Sequence, residues 1–99
     1  MIQIIALLYA SKNGIEGLRE FESKAIPILR EHKGVLISAS FNDCKSDNEP
    51  DEIHVIQFPN IESFEAYKSD LRIIDLASLK AQMIRKMDIY ITNKFYEYS

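Results

Sequence analysis

The chain opens on a dense apolar run. Between Ile2 and Tyr9 both alternating sets, Ile2-Ile4-Ala6-Leu8 and Gln3-Ile5-Leu7-Tyr9, are largely apolar and no breaker interrupts them. That is the pattern of a strand covered on both faces. Ser11 to Gly14 is turn chemistry, with Asn13 three residues before Glu16 in capping-box spacing. Apolar residues then recur at helical intervals, Ile15, Leu18, Phe21, Ala25, Ile28 and Leu29, and predict a helix to about His32. Pro27 lies inside it and removes one backbone hydrogen bond, so a bend is expected and packing must hold the second half. Gly34 stands where a left-handed residue would end the helix.

Val35 to Asn42 alternates, with Val35, Ile37, Ala39 and Phe41 on one side and Leu36, Ser38, Ser40 and Asn42 on the other. This predicts a strand with one apolar face. Asp43 to Asp51 reads as a polar loop, and Ile53 to Phe58 as the third strand. Pro59-Asn60 ends that strand and caps a helix carrying Ile61, Phe64 and Tyr67. After a break near Ser69-Asp70, helical spacing resumes from Ile73 to Met87, and Asp88 to Tyr96 forms the last strand. The order β-α-β-β-α-β predicts one ferredoxin-like α+β domain over residues 1–99, its antiparallel sheet ordered 4-1-3-2 with the helices on one face. The first strand is then central, and its second apolar set points away from the helices. A second copy of the chain is expected to cover it, giving a homodimer through the open sheet face.

Composition narrows the partners. Twelve Lys and Arg against fifteen Asp and Glu leave a net charge of −3, against the basic excess of a general nucleic-acid binder. One cysteine, Cys44, excludes an internal disulfide framework and a Cys-cluster metal site. The apolar run Ile4 to Tyr9 is far shorter than the ~20 residues needed to span a bilayer. It also lacks the flanks of a signal peptide. A cytoplasmic protein with no membrane or nucleic-acid partner is expected.

Two segments carry a family likeness. One is the helix end and following strand, Lys24 to Leu36; the other is Val55 to Tyr67, where a strand runs into Phe58-Pro59, Asn60 and a helix bearing Phe64. They resemble the dimeric α+β-barrel superfamily and are similar to its small-domain, YciI-like and antibiotic-biosynthesis-monooxygenase-like branches. The resemblance implies two ferredoxin-like sheets paired into a barrel, with a substrate space between sheet and helices. In the monooxygenase-like members it also implies chemistry without metal or flavin, the substrate carbanion itself reacting with oxygen. Lys33-Gly34 replaces the Gly-Gly of the small-domain branch, and Gln57 stands where an acid usually precedes Phe-Pro. The absence of tryptophan turns the reading away from haem-degrading members.

His54 is the leading candidate for chemistry. It shares a strand side with Ile56 and Phe58; the resemblance turns Phe58 to the helices, so His54 faces the same space. There an imidazole serves as general base or, more plainly, as a hydrogen-bonded structural histidine. Arg72 is either a carboxylate clamp at the pocket mouth or a solvated surface residue. Tyr67, Tyr9 and Tyr90 are hydroxyl donors to an aromatic substrate or core and interface residues with one wet end. His32 suits the negative end of the first helix. Asp43, Asp47, Glu49, Asp51 and Glu52 read as a solvated loop, without the glycine of a calcium loop. No cofactor and no metal site is expected. Two functions remain. One is a cofactor-free monooxygenase- or isomerase-like enzyme acting on a small hydrophobic or aromatic acid. The other is a non-enzymatic dimeric module that binds a small ligand or partner. A cavity of ~300 Å³ or more beside His54 favours a ligand site; a cleft filled by Phe58, Phe64, Leu79 and Met83 favours a structural module.

Overall fold

The computed structural model describes residues 1–98; Ser99 lies outside them. The elements are β1 (Ile2–Ala10), α1 (Gly14–Glu31), β2 (Val35–Ser40), β3 (Glu52–Phe58), α2 (Ile61–Ser69), α3 (Leu71–Asp75), α4 (Ala77–Met83) and β4 (Ile84–Thr92). The strands form one antiparallel sheet in the order β2-β3-β1-β4, the expected ferredoxin-like arrangement. The backbone measures 39 × 37 × 16 Å: a slab two layers thick, with every helix of the described residues on one face of the sheet. Among the described residues no helix is long and apolar enough to cross a membrane.

Several expected details change. The helix read over Ile73 to Met87 is two short helices, α3 and α4, and ends at Met83. Asp70 starts α3 by accepting from the Arg72 backbone N–H at 2.9 Å, and the Leu76 N–H closes it onto Ile73. Ile84, Lys86 and Met87 instead pair with Ala10, Tyr9 and Leu8, with a register shift that leaves Arg85 as the extra residue. Ladder bonds to the long central strand win over helical periodicity there. At its other end β4 stops at Thr92 rather than Tyr96, because Thr92 already faces Gln3 near the start of β1. β2 likewise ends at Ser40, and a shift between Leu36 and Ser38 breaks its alternation. Leu36 opposes Ile56 and Ala39 opposes His54, so residues expected on opposite faces share the helix side.

The ends of α1 also differ from expectation. Asn13 makes no capping-box bond; its amide donates to Ser11 Oγ and to the Gln82 carbonyl at 3.2 Å, tying the start of α1 to α4. Lys33, not Gly34, takes the left-handed conformation (φ 67°). Gly34 is needed for space, since a Cβ there would stand 2.7 Å from Leu29 Cγ and 2.9 Å from its carbonyl oxygen. α1 runs through Pro27, which leaves the Ser23 carbonyl without its usual helical donor. Asn60 caps α2 as expected, accepting from the Ser63 N–H at 2.9 Å.

The core divides in two. One cluster joins Ile2, Ile4, Leu29, Phe58 and Phe64; the other joins Leu8, Leu18, Phe21, Ala25 and Ile84. α1 crosses both, Leu29 over one end of β1 and Leu18 over the other. Between them the sheet is floored by small side chains: Ala6 opposes His54 on one side and Ile89 on the other, while His54 also opposes Ala39.

Candidate functional site

The gap between the two clusters is a cavity of about 330 Å³. Ile4, Ala6 and His54 lie on its sheet side, and Glu22 and Ile26 of α1 on its helix side. Leu79 and Met83, two of the side chains that could have filled it, pack in the second cluster instead. Tyr67 and Lys68 of α2 and Lys80 of α4 complete its polar rim. A more open groove lies behind, along the Ser23–Pro27 side of α1; it shares Glu22, Ile26 and His54 with the cavity.

His54 is 3% exposed and lies on the helix-facing side. Its Nε2–H donates to Glu52 Oε1 at 2.8 Å. Glu52 is equally buried, at 6%, and its other oxygen accepts from Arg19 Nε at 3.2 Å. Arg19 remains half-exposed and rests over the Phe41 ring, so the buried carboxylate is tethered to an outer cation. The carboxylate holds the imidazole in one orientation and tautomer, since the ring nitrogen that faces it must carry the proton. Nδ1 makes no hydrogen bond among the described residues.

Glu52 is the functional residue the sequence reading missed. It is not part of a solvated loop but the first residue of β3. The available signal was its spacing: residues two apart on a strand share a face, so Glu52-x-His54 places carboxylate and imidazole side by side. Its neighbour Asp51 also leaves the solvated set, accepting from the Ala10 N–H at 2.7 Å and so fastening the loop to the end of β1.

Two further groups that meet the cavity are shifted from their ordinary titration. Burial lifts the Glu22 carboxyl above the ordinary range; His54 pulls it back, Glu52 pushes it further up, and Lys80 opposes. Burial, aided by the Glu22 charge, pushes the Tyr67 hydroxyl up to about 12. It therefore stays a donor at neutral pH. Tyr67 is positioned by its tilted contact with Phe58 at 6.0 Å between ring centres. Among the described residues no three His, Cys, Asp or Glu side chains converge as a metal site.

The remaining candidates stand elsewhere. Arg72 is not in the cavity wall; its guanidinium bonds both oxygens of Glu31, at 2.9 and 3.2 Å, and also Asp70. Asp70 further accepts from His32 Nε2–H at 2.8 Å. His32 thus latches the end of α1 to the α2–α3 junction, beyond its expected place at the helix terminus. Tyr9 belongs to the other sheet face, where it opposes Lys86 and packs beneath the Lys86 and Arg85 cations. Tyr90 opposes Ile5 on that same face.

No family model matches the chain, and no curated protein matches its sequence. Solved structures do match. A protein of unknown function from Rhodopseudomonas palustris superposes with a TM-score of 0.78 at 10% identity, over 97% of this chain and 83% of its own. A NIPSNAP-family protein of unknown function from Agrobacterium tumefaciens gives 0.71 at 18% identity, over 93% and 86%. A proposed antibiotic biosynthesis monooxygenase from Nitrosomonas europaea gives 0.72 at 12% identity, over 97% and 100%. At such identities the likeness is one of fold. In fold, the chain is similar to the monooxygenase-like proteins its sequence resembles, and to NIPSNAP proteins as well.

Proposed function

We propose that the chain binds a small hydrophobic or aromatic acid between its two core clusters, and that His54 acts there as general base. The observation that carries this reading is the buried His54–Glu52 pair in the wall of an apolar cavity of about 330 Å³. An imidazole whose Nε2–H is given to a carboxylate offers Nδ1 as proton acceptor. A carbon acid seated over Ala6 would lose its proton to that nitrogen, while the Tyr67 hydroxyl suits the oxyanion that forms. Such chemistry needs no metal or flavin in either version, monooxygenase-like or isomerase-like.

The test is deuterium uptake from solvent at the benzylic C3 of phenylpyruvate, an aromatic acid whose C–H beside the ketone is acidic. Wild-type protein should accelerate it, and His54→Gln should lose about 10²–10⁴-fold. Binding without exchange would leave the non-enzymatic ligand-binding module, a reading favoured by the mainly apolar cavity wall.

The chain is also proposed to work as a homodimer through the open sheet face. The row Tyr90, Ile5, Val55 and the row Leu7, Ile53 run side by side there, with no helix of the described residues packed over them. The accessible surface is 6632 Å², against roughly 5,800 Å² for a compact monomer of this mass. That surplus is close to the ~800 Å² each partner buries in a standard interface. Light scattering at micromolar protein should give a dimer, and Leu7→Glu a monomer; a monomeric wild type would refute the pairing. A reducing, cytoplasmic setting is part of the same proposal, supported by the exposed free thiol of Cys44.

A further inference from the structure

We infer that Glu22 is the proton donor that answers His54, so that the cavity relocates a proton within its ligand: the keto–enol tautomerisation of a small aromatic or branched oxo acid. This rests on His54 as base and names the reaction class it serves.

Glu22 comes from the helix layer and His54 from the sheet, with the cavity between them. A ligand lying there meets an acid on one side and a base on the other. Glu22 makes no hydrogen bond among the described residues and is therefore free to bond a ligand. The charged and titratable groups around it are Arg19 and Arg30 on its own helix, His54 and Glu52 on β3, Tyr67 and Lys68 on α2, and Lys80 on α4. Burial is the largest influence on its carboxyl and favours the neutral, proton-bearing form. A pair of titratable groups held in unlike environments is the usual arrangement of acid and base. Lys80 supplies an ammonium at the rim for the ligand's carboxylate, the part first given to Arg72.

The step balances. His54 Nδ1 takes the α-proton, the C–H electron pair becomes the C=C bond, and the carbonyl oxygen takes the Glu22 proton. The products are the enol, an imidazolium and a carboxylate. Both residues also line the outer groove, through whose water the imidazolium proton returns to Glu22. No electron leaves the ligand, and no oxidant is consumed.

The test uses phenylpyruvate with the full chain. Wild type should catalyse both deuterium exchange at C3 and conversion of the enol to the keto form, with rates falling on the high-pH limb as Glu22 loses its proton. Glu22→Gln should bind phenylpyruvate, slow both reactions by about 10²-fold or more, and lose that limb; Glu22→Asp should recover part of the rate. Glu22→Gln at the wild-type rate with that limb intact overturns the assignment and leaves His54 as base. Absence of exchange in wild type, or exchange unchanged in His54→Gln, overturns both.

Discussion

Filling the cavity floor should stabilise the protein while abolishing its function. Ala6 is 5% exposed, lies at the centre of β1 and faces the space between the two clusters. Ala6→Leu adds three carbons there. At about 0.8 kcal/mol for each buried carbon the gain is about 2.4 kcal/mol. Fixing the leucine rotamer costs roughly 0.5–1 kcal/mol. The net stabilisation is therefore about 1.5 kcal/mol. Unfolding entropy of about 2.1 cal/mol/K per residue gives a 99-residue chain roughly 0.2 kcal/mol per degree. The melting temperature should rise about 7 °C.

A matched control makes the sign informative. Ala25 is 1% exposed, but it sits in the filled second cluster and not in the cavity wall. The same substitution there overpacks the core and should cost about 1–3 kcal/mol. Circular dichroism during thermal and urea unfolding measures both, with an unchanged urea slope showing that stability alone has moved. Ala6→Leu should also fail to bind phenylpyruvate. Destabilisation of Ala6→Leu to the level of Ala25→Leu would refute the reasoning, since it would mean that no usable space lies over Ala6.

Three further outcomes follow from the ionisable groups. Glu52→Ala strands a buried imidazole nitrogen and should cost about 1–3 kcal/mol in urea unfolding, with loss of the exchange reaction. Asp70 is held well below the ordinary carboxylate range by the Arg72 side chain first and by His32 next. Its contribution to stability is present at and above about pH 4 and is lost only as pH falls well below that; Asp70→Asn should lower the melting temperature above pH 4 and flatten its acid dependence. Glu22 is shifted the other way, so the folded chain holds that proton longer than the unfolded chain does. Stability should fall as pH rises from the ordinary carboxylate range towards the raised value, then level off. Glu22→Gln should remove that decline and melt higher than wild type at neutral pH.

The strand order was legible because it needs only the sequence of element types and the handedness of crossovers. β1 declared itself by apolar residues on both faces, and its central place followed. What misled were positions where backbone pairing overrides side-chain rhythm. Ile84 to Met87 continue a helical apolar pattern, yet the β1 ladder recruits them into β4. The shift after Leu36 in β2 likewise lies in the hydrogen bonds rather than in the alternation. The strand alternation put His54 on the side of Phe58 but left that side's direction open; only the family resemblance turned it inward, and the site around it stayed unread. Glu52 carries the composition of a loop, and Glu22 the composition of an exposed helical face. Arg72 was misleading because a bidentate donor finds acids on its own chain, and Glu31 lies forty-one residues away in sequence.

The breaches of core packing fall together, and that coincidence is the strongest argument for a built site. Elsewhere the chain obeys the rules of stability: Asn60 caps α2, Phe58 is sealed between Leu29 and Phe64, and no side-chain nitrogen or oxygen wholly cut off from solvent lacks a partner among the described residues. In one slice across the sheet it departs from them. Ala6 lies beside His54 where a larger apolar residue would pack, Glu52 brings a carboxylate into the strand, and Glu22 faces inward from α1. A buried carboxylate bonded to an imidazole is weak support for a fold, because apolar side chains of similar shape often serve as well or better. Small floor residues add nothing to stability either, since the space they leave forfeits dispersion contacts. Each departure lowers stability; together they give the room and the groups that the proposed base, acid and proton route need. Chains depart from packing rules chiefly where function requires it. Here the stable clusters at either end of β1 hold the gap open between them, and the rigidity of those clusters keeps His54 and Glu22 on opposite walls.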